Sequence, residues 1–148
     1  MTGPIRVRPA PPTEPIRFLF AYGTLQPGFA PAEIATAVEK LRPVGEGFLF
    51  GKLYDLGSYP GAVIDPASAW VIYGTVYELP EDSEILRRLD AYEGDEYVRV
   101  EQLTTLTAGG VLNCWVYDFV GTPGEERFVE SGRWMERPST ARADSSGA

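Results

Sequence analysis

Glu93 is the residue of this sequence that is best placed to act as a general acid or base. It comes at the C-terminal end of a predicted helix, directly after an apolar stripe. The negative end of the helix dipole and the nearby side chains of Asp90, Asp95 and Glu96 oppose ionisation of its carboxyl group. Both influences favour a raised pKa, which a general base working near neutral pH requires. The alternative is that residues 90–96 form a solvated acidic loop, as most charge runs do.

The segment Tyr22-Gly23-Thr24-Leu25 is a candidate binding loop for a small carboxylate. It follows a short apolar run, so a buried strand is predicted to end at Gly23, where the chain turns sharply. Successive backbone N–H groups in such a turn can converge on one point and bind an anion. A strand that simply ends in a turn accounts for the same pattern, and the residues of the loop do not separate these two interpretations.

Tyr97 and Arg99 are secondary candidates. They alternate on the strand predicted after Glu93, so both side chains point to one face, either toward a site or toward solvent. The Tyr97 hydroxyl either hydrogen-bonds a substrate or is satisfied within the core. Residues 58–61, Ser-Tyr-Pro-Gly, are predicted first as a turn and second as the wall of a pocket.

The composition excludes several kinds of site. The 148 residues include no histidine and one cysteine, Cys114, which leaves no Ser-His-Asp or Cys-His nucleophile, no imidazole metal ligand and no intrachain disulfide. We expect Cys114 to be an unreactive core residue. Acid–base chemistry therefore falls to Glu, Asp, Tyr, Lys or the substrate itself, and we expect no metal or organic cofactor.

The charge balance and the hydropathy pattern limit the partners. With 13 basic and 21 acidic residues the net charge is −8, which disfavours a nucleic-acid partner. No apolar run approaches the roughly 18 residues that a membrane helix needs. The N-terminus lacks the apolar core of an export signal. We therefore expect a soluble cytoplasmic protein with a small-molecule ligand and no membrane or nucleic-acid partner, and the sequence leaves the oligomeric state open.

Two helices are predicted from apolar residues at helical spacing. The clearer one spans Asp82–Tyr92, where Asp82 or Ser83 caps the start and Gly94 ends the helix. The other spans Pro31–Leu41.

Six or so short strands complete the prediction, and five of them have clear patterns. Residues 57–61, rich in Gly, Pro and Ser, are predicted as a connection. The last two strands are joined through the hairpin signal Ala108-Gly109-Gly110. The predicted strands are Phe18–Tyr22, Phe48–Leu53, Trp70–Leu79, Tyr97–Thr107 and Val111–Phe119.

The pattern of elements predicts an α+β fold around a curved, mostly antiparallel sheet or barrel, because strands and helices do not alternate as βαβ units. An apolar content of 44% is enough for one folded domain, placed at residues 16–137. Five prolines in residues 1–15 and small polar residues in 138–148 predict a flexible tail at each end.

The ordered set of motifs resembles the γ-glutamylcyclotransferase-like family, and most closely its γ-glutamylamine cyclotransferase and avirulence-induced-gene-like branch. The resemblance covers about residues 16–136. One departure is Arg133, where the family often has an acidic residue. The motifs are Phe20-Ala21-Tyr22-Gly23-Thr24-Leu25, Tyr59-Pro60-Gly61, Leu89-Asp90-Ala91-Tyr92-Glu93-Gly94, Tyr97-Val98-Arg99, Trp115-Val116-Tyr117 and Ser131-Gly132-Arg133-Trp134.

The resemblance implies a small mixed β-barrel with flanking helices and a cavity at one end. It assigns Tyr22, Gly23, Thr24 and Leu25 to the loop whose backbone N–H groups hold the α-carboxylate of a γ-glutamyl group. It assigns Glu93 to the catalytic glutamate. The implied reaction converts a γ-glutamyl amine, or a γ-glutamyl-protected metabolite, to 5-oxoproline and a free amine without a cofactor, as an acyltransferase or lyase.

A non-catalytic module that binds a small carboxylate in the same pocket is the alternative. Glu93 distinguishes the two hypotheses, because a simple carboxylate binder gains nothing from a second negative charge in its pocket. The presence of Glu93 therefore favours the enzyme.

Overall fold

The computed structural model describes residues 16–26, 30–81 and 84–134. Both predicted tails, the predicted end of the domain at residue 137 and the predicted cap at Asp82 or Ser83 lie outside the described residues. Two 3₁₀ turns, Gly94–Glu96 and Glu125–Arg127, accompany the regular elements. The regular elements are β1 (Phe18–Ala21), α1 (Ala32–Val38), β2 (Arg42–Asp55), β3 (Pro60–Ile64), β4 (Val71–Glu78), α2 (Glu84–Glu93), β5 (Tyr97–Leu106) and β6 (Val111–Phe119).

Five strands close into a barrel in the order β2-β4-β1-β6-β5, and β5 returns to pair with β2. Only β1 and β6 run parallel; the other pairings in the sheet are antiparallel. β3 lies outside this closed ring and pairs with the second half of β2. The predicted fold class, a small mixed and mostly antiparallel β-barrel with flanking helices, is confirmed.

The structure extends the predicted strands around β2. β2 begins at Arg42, six residues before the predicted strand, and its first half pairs with β4 across a bulge between Pro43 and Gly45. The predicted connection at 57–61 instead enters β3, which begins at Pro60. Proline is tolerated at the first residue of a strand because its missing N–H is not needed there. Long-range pairing with β2 thus orders segments whose own residue pattern favours turns.

β1 lies between two apolar clusters, which explains why its sequence is uniformly apolar. Leu19 and Ala21 pack with the helices, whereas Phe20 and Tyr22 point into the barrel, as the two-residue period of a strand requires. Cys114 is fully buried in the barrel cluster, as predicted. Trp134 is also buried there, so the turn that precedes it places an aromatic ring on the core.

α2 covers the barrel with a short apolar face. Ile85 and Leu89 are buried, and the helix ends at Glu93 because Gly94 adopts a positive φ of 73°. This end agrees with the sequence prediction to within one residue. Within the described ranges, the structure shows no helix long and apolar enough to cross a membrane.

Gly47 is expected to be essential to barrel closure. It faces Leu106 at the β2–β5 seam, and a Cβ atom added there would lie 2.6 Å from the carbonyl oxygen of Thr105. Gly47→Ala should therefore lower the free energy of unfolding by about 1–3 kcal/mol. Gly45→Ala is the matched control, because a Cβ atom at Gly45 meets only Leu106, at 4.0 Å. Urea unfolding checks this; equal midpoints for the two variants would contradict the account.

Candidate active site

A cavity of about 280 Å³ opens where the loop after β1 meets the end of α2. Its volume lies just below the roughly 300–1,000 Å³ of typical ligand pockets, which suits a small metabolite. The loop contributes Tyr22, Gly23, Thr24 and Leu25, and the α2 end contributes Glu93. The five residues of the two main predictions therefore line one cavity. Of the secondary candidates, Tyr97 also lines it and Arg99 does not. Further lining residues are Leu19, Phe20, Ala21, Tyr59, Pro60, Tyr92, Glu96, Tyr97 and Tyr117.

The Glu93 carboxyl group is the most perturbed acid that faces this cavity. Burial raises its pKa, the charge of Glu96 raises it further, and the result is a pKa of about 7. No described residue donates a hydrogen bond to this carboxyl group or forms an ion pair with it. Glu93 is therefore not part of a solvated loop, and it titrates in the range that a general base needs.

Glu93 also affects the phenols around it. Tyr22, Tyr92, Tyr97 and Tyr117 all have pKa values raised first by burial, and the negative charge of Glu93 raises each of them further. These four tyrosines remain protonated near neutral pH and can act only as neutral hydrogen-bonding groups there.

Asp90 lies one turn before Glu93 on α2, and its pKa is shifted in the opposite direction. Arg99 donates from Nε to Oδ1 at 2.8 Å and from Nη2 to Oδ2 at 3.0 Å, and the Tyr117 hydroxyl donates to Oδ1 at 2.7 Å. Burial alone would raise the Asp90 pKa, but these hydrogen bonds and the Arg99 charge outweigh it and lower the pKa. The sequence-based expectation that Asp90 would oppose ionisation of Glu93 is therefore wrong, because Arg99 neutralises its charge.

Tyr22 fixes the start of the loop through its buried hydroxyl. The hydroxyl donates to the carbonyl oxygen of Tyr117 at 2.7 Å and accepts from the N–H of Ala62 at 3.3 Å. Its pKa is raised well above the usual value, chiefly by burial. The Tyr22 side chain thus ties the loop to β6 and β3. Tyr22 therefore holds the loop in place as well as lining the cavity.

The loop is held from its carbonyl side, which leaves its N–H groups available. Gln26 Nε2 donates to the carbonyl oxygen of Gly23 at 2.6 Å, and the Tyr77 hydroxyl donates to Gln26 Oε1 at 3.0 Å. Within the described chain, the N–H groups of residues 23–25 have no hydrogen-bond acceptor. Such N–H groups are the donors that a carboxylate needs.

Gly23 is required by a close approach, although the partner is protein rather than ligand. A Cβ atom added at Gly23 would lie 2.8 Å from Cγ of Pro60. Pro60 is itself held because the Tyr97 hydroxyl donates to its carbonyl oxygen at 2.6 Å. The Tyr97 hydroxyl is therefore hydrogen-bonded within the protein, which is the second of the two alternatives for this residue. Its ring also lines the cavity.

The mouth of the cavity is aromatic and acidic. Tyr59 and Tyr92 are exposed there, and the Tyr59 hydroxyl donates to Glu96 at 3.2 Å. Sequence reasoning gave no site role to Tyr92 or Tyr117, and it gave Glu96 only the charge effect on Glu93 that the structure confirms. Tyr92 and Tyr117 lie within the motifs on which the resemblance rests. Their place in those motifs could have identified them as site residues. In the part of the chain that the structure describes, no three acidic, Cys or His side chains group as metal ligands.

Comparison with known proteins identifies the family. The sequence model of the family described as "Gamma-glutamyl cyclotransferase, AIG2-like" matches residues 19–136, which is most of the chain. This protein belongs to that family. Among its relatives is the γ-glutamylcyclotransferase family protein YtfP of Escherichia coli K12, which is 36% identical over 88 residues, covering 58% of this chain and 69% of YtfP.

Solved structures of other proteins share this fold. YkqA from Bacillus subtilis has a TM-score of 0.67 at 21% identity over 86% of this chain, which spans only 42% of the YkqA chain. An AIG2-like protein from Mus musculus has a TM-score of 0.60 at 22% identity, over 83% of this chain and 84% of its own. At these identities the likeness concerns the fold alone.

Glu93→Gln is expected to stabilise the protein at alkaline pH. Because folding raises the Glu93 pKa from 4.5 to about 7, the protonated carboxyl contributes stability that is complete below about pH 4.5 and is lost as the pH rises through 7. The free energy of unfolding of the variant should therefore exceed that of the parent by about 1–3 kcal/mol at pH 8, and the difference should shrink as the pH falls and vanish only below about pH 4.5.

Urea unfolding at several pH values measures this difference. The matched control is Glu39→Gln, which removes one carboxyl group from the exposed end of α1. A Glu93→Gln stability difference that does not change with pH would show that the Glu93 carboxyl is solvated in the folded protein.

Proposed function

We propose that this protein is a γ-glutamyl cyclotransferase that converts a γ-glutamyl amine, or a γ-glutamyl-protected metabolite, into 5-oxoproline and a free amine. The observation that carries the proposal is the Glu93 carboxyl group, which has no partner among the described residues and faces a small cavity lined also by the loop of residues 22–25. Membership in the γ-glutamyl cyclotransferase family supports the reaction class.

Binding begins at the loop. The α-carboxylate of the γ-glutamyl group accepts hydrogen bonds from the N–H groups of residues 23–25, which have no acceptor in the described chain. This places the α-ammonium group toward Glu93 and folds the substrate back on itself. The conformational entropy cost of bringing the amine near its own γ-carbonyl carbon is then met on binding rather than at the transition state.

Glu93 then carries protons from the α-nitrogen to the leaving nitrogen. Its carboxylate takes a proton from the α-ammonium group, and the freed amine attacks the γ-carbonyl carbon to close a five-membered ring. Protonated Glu93 gives this proton to the leaving nitrogen, and the bond from the γ-carbonyl carbon to that nitrogen breaks. The ring nitrogen loses its second proton to the same carboxylate, which passes it to the released amine, so the products are 5-oxoproline and an ammonium ion. No water is consumed. A pKa of about 7 suits both steps, since the group must accept and release a proton at similar pH.

The surrounding tyrosines complete the environment. Tyr97 and Tyr117 present protonated rings to the cavity while their hydroxyls donate to protein acceptors. They therefore exclude water and keep the Glu93 carboxyl desolvated, which is the source of its raised pKa. The oxyanion is stabilised by loop N–H groups that the carboxylate does not occupy.

The experiment that tests this function is 5-oxoproline release from a panel of γ-glutamyl amides with different leaving amines. We expect release by the parent, with kcat/KM falling as the pH drops below about 7 because protonated Glu93 cannot act as a base. Glu93→Gln should reduce turnover at least about 100-fold. Asp95→Asn, which changes an exposed carboxyl two residues away, is the matched control and should retain parent turnover.

Two outcomes contradict the proposal. Near-parent turnover by Glu93→Gln removes Glu93 from the mechanism. The absence of release from every member of the panel, with 5-oxoproline still bound by the parent, indicates a non-catalytic carboxylate-binding module.

Gly23→Val is expected to weaken substrate binding. The new side chain would occupy the space of the Pro60 ring, so the loop must move away from β3. We expect KM and the Kd for 5-oxoproline to rise at least about tenfold, a loss of roughly 1.4 kcal/mol, with a folded protein by circular dichroism. Gly45→Val, at an open position, should bind as the parent does. An unchanged Kd for Gly23→Val, measured by calorimetry, would remove the loop from the binding site.

A further inference from the structure

Asp90 and Arg99 have no part in the reaction steps, although both lie in motifs that the sequence shares with the family. Asp90 is on α2, three residues before Glu93, and Arg99 is on β5. Their ion pair is partly shielded, since the Arg99 side chain is 23% exposed and the Asp90 side chain 40%. Exposed ion pairs contribute little, so a partly shielded and bidentate pair beside the cavity calls for a specific explanation.

The last turn of α2 needs an anchor other than apolar packing. Leu89 is the last buried apolar residue of the helix, and the side chains that follow it, Ala91 and Tyr92, are exposed. Glu93 itself contacts no described hydrogen-bond donor. The position of its carboxyl group therefore depends on what fixes the backbone of this turn.

The contacts of Asp90 supply that anchor. Arg99 holds both carboxylate oxygens, at 2.8 and 3.0 Å, and the Arg99 guanidinium group lies 4.2 Å from the ring centre of Trp115 on β6. A planar bidentate pair that is also stacked on an aromatic ring has one well-defined geometry. The Tyr117 hydroxyl adds a third hydrogen bond to Asp90, at 2.7 Å.

Tyr117 also connects this anchor to the loop. Its side chain donates to Asp90, and its backbone carbonyl accepts the hydrogen bond of Tyr22 at 2.7 Å. One residue of β6 thus contacts the helix that carries Glu93 and the loop that begins at Tyr22. The distance between the two halves of the cavity is set through a single rigid strand.

We propose that Asp90, clamped by Arg99 and Tyr117, is the positioning residue that holds the Glu93 carboxyl group in register with the loop of residues 22–25. The inference rests on the proposed function for its catalytic consequence. Its structural content, the placement of the Glu93 carboxyl group inside the cavity, is measurable without a substrate.

Arg99→Lys and Tyr117→Phe test the proposal, because both conserve the net charge. Lysine keeps the positive charge but cannot form the two parallel hydrogen bonds to Asp90, and phenylalanine removes only the hydroxyl group of Tyr117. We expect kcat to fall about tenfold to 100-fold, as small misplacements of a reacting group do, while KM changes less than about threefold because the N–H groups of the loop are retained. Arg87→Lys, in an exposed pair on the same helix, is the matched control and should keep the parent kcat.

Carboxyl titration by ¹³C NMR supplies the readout that needs no activity. The other groups that face Glu93, namely Glu96, Tyr22, Tyr92 and Tyr97, are unchanged in both variants. We expect the Glu93 midpoint to fall below that of the parent by a measurable fraction of a pH unit, because the released turn admits water to the carboxyl group. All assays are run well below each variant's melting temperature, where a merely structural role would leave kcat and the midpoint at parent values.

The outcomes separate the two claims. Parent kcat and a parent Glu93 midpoint in folded Arg99→Lys and Tyr117→Phe would overturn the positioning role. A parent that releases no 5-oxoproline, with the midpoint shifted in both variants, would overturn the proposed function and leave the positioning role supported.

Discussion

Desolvation of the Glu93 carboxyl group is the constraint on which the rest of the site depends. Burial of a carboxylate that has no partner costs free energy, and the same burial raises the pKa of Glu93 to about 7. Asp90, one turn away on the same helix, is paired with Arg99 and has a lowered pKa. Two neighbouring carboxyls in opposite protonation regimes are typical of acid–base sites, because different environments separate otherwise similar groups.

The barrel supplies the rigidity that this arrangement needs. β1 is buried on both faces and paired on both sides, so the loop that follows it starts from a fixed point. The parallel β6 beside it carries Tyr117, which contacts both the loop and Asp90. Pro60 at the start of β3 closes the other side against Gly23. A small closed barrel thus brings together the β1 loop and the end of α2, which are distant in sequence.

Much of this could be predicted from the sequence, and the failures have a common physical cause. Elements with their own periodicity, such as α2 and the β5–β6 hairpin, were predicted to within a residue or two. β3 and the first half of β2 were missed because pairing with distant strands orders them against their local turn preference. The raised pKa of Glu93 was anticipated, but burial is its main cause and Asp90 does not contribute, since Arg99 neutralises it. Burial and ion pairing depend on tertiary neighbours, which residue spacing alone does not specify.

The most direct test of the central claim is a ¹³C NMR titration of the side-chain carboxyls of Asp90 and Glu93 in the parent protein. We expect the two groups to titrate far apart, with Glu93 near pH 7 and Asp90 below its ordinary pKa. A Glu93 midpoint near the ordinary 4.5 of an exposed glutamate would contradict it. In that case the carboxyl group is solvated, and neither its role as a base near neutral pH nor the need to position it would stand.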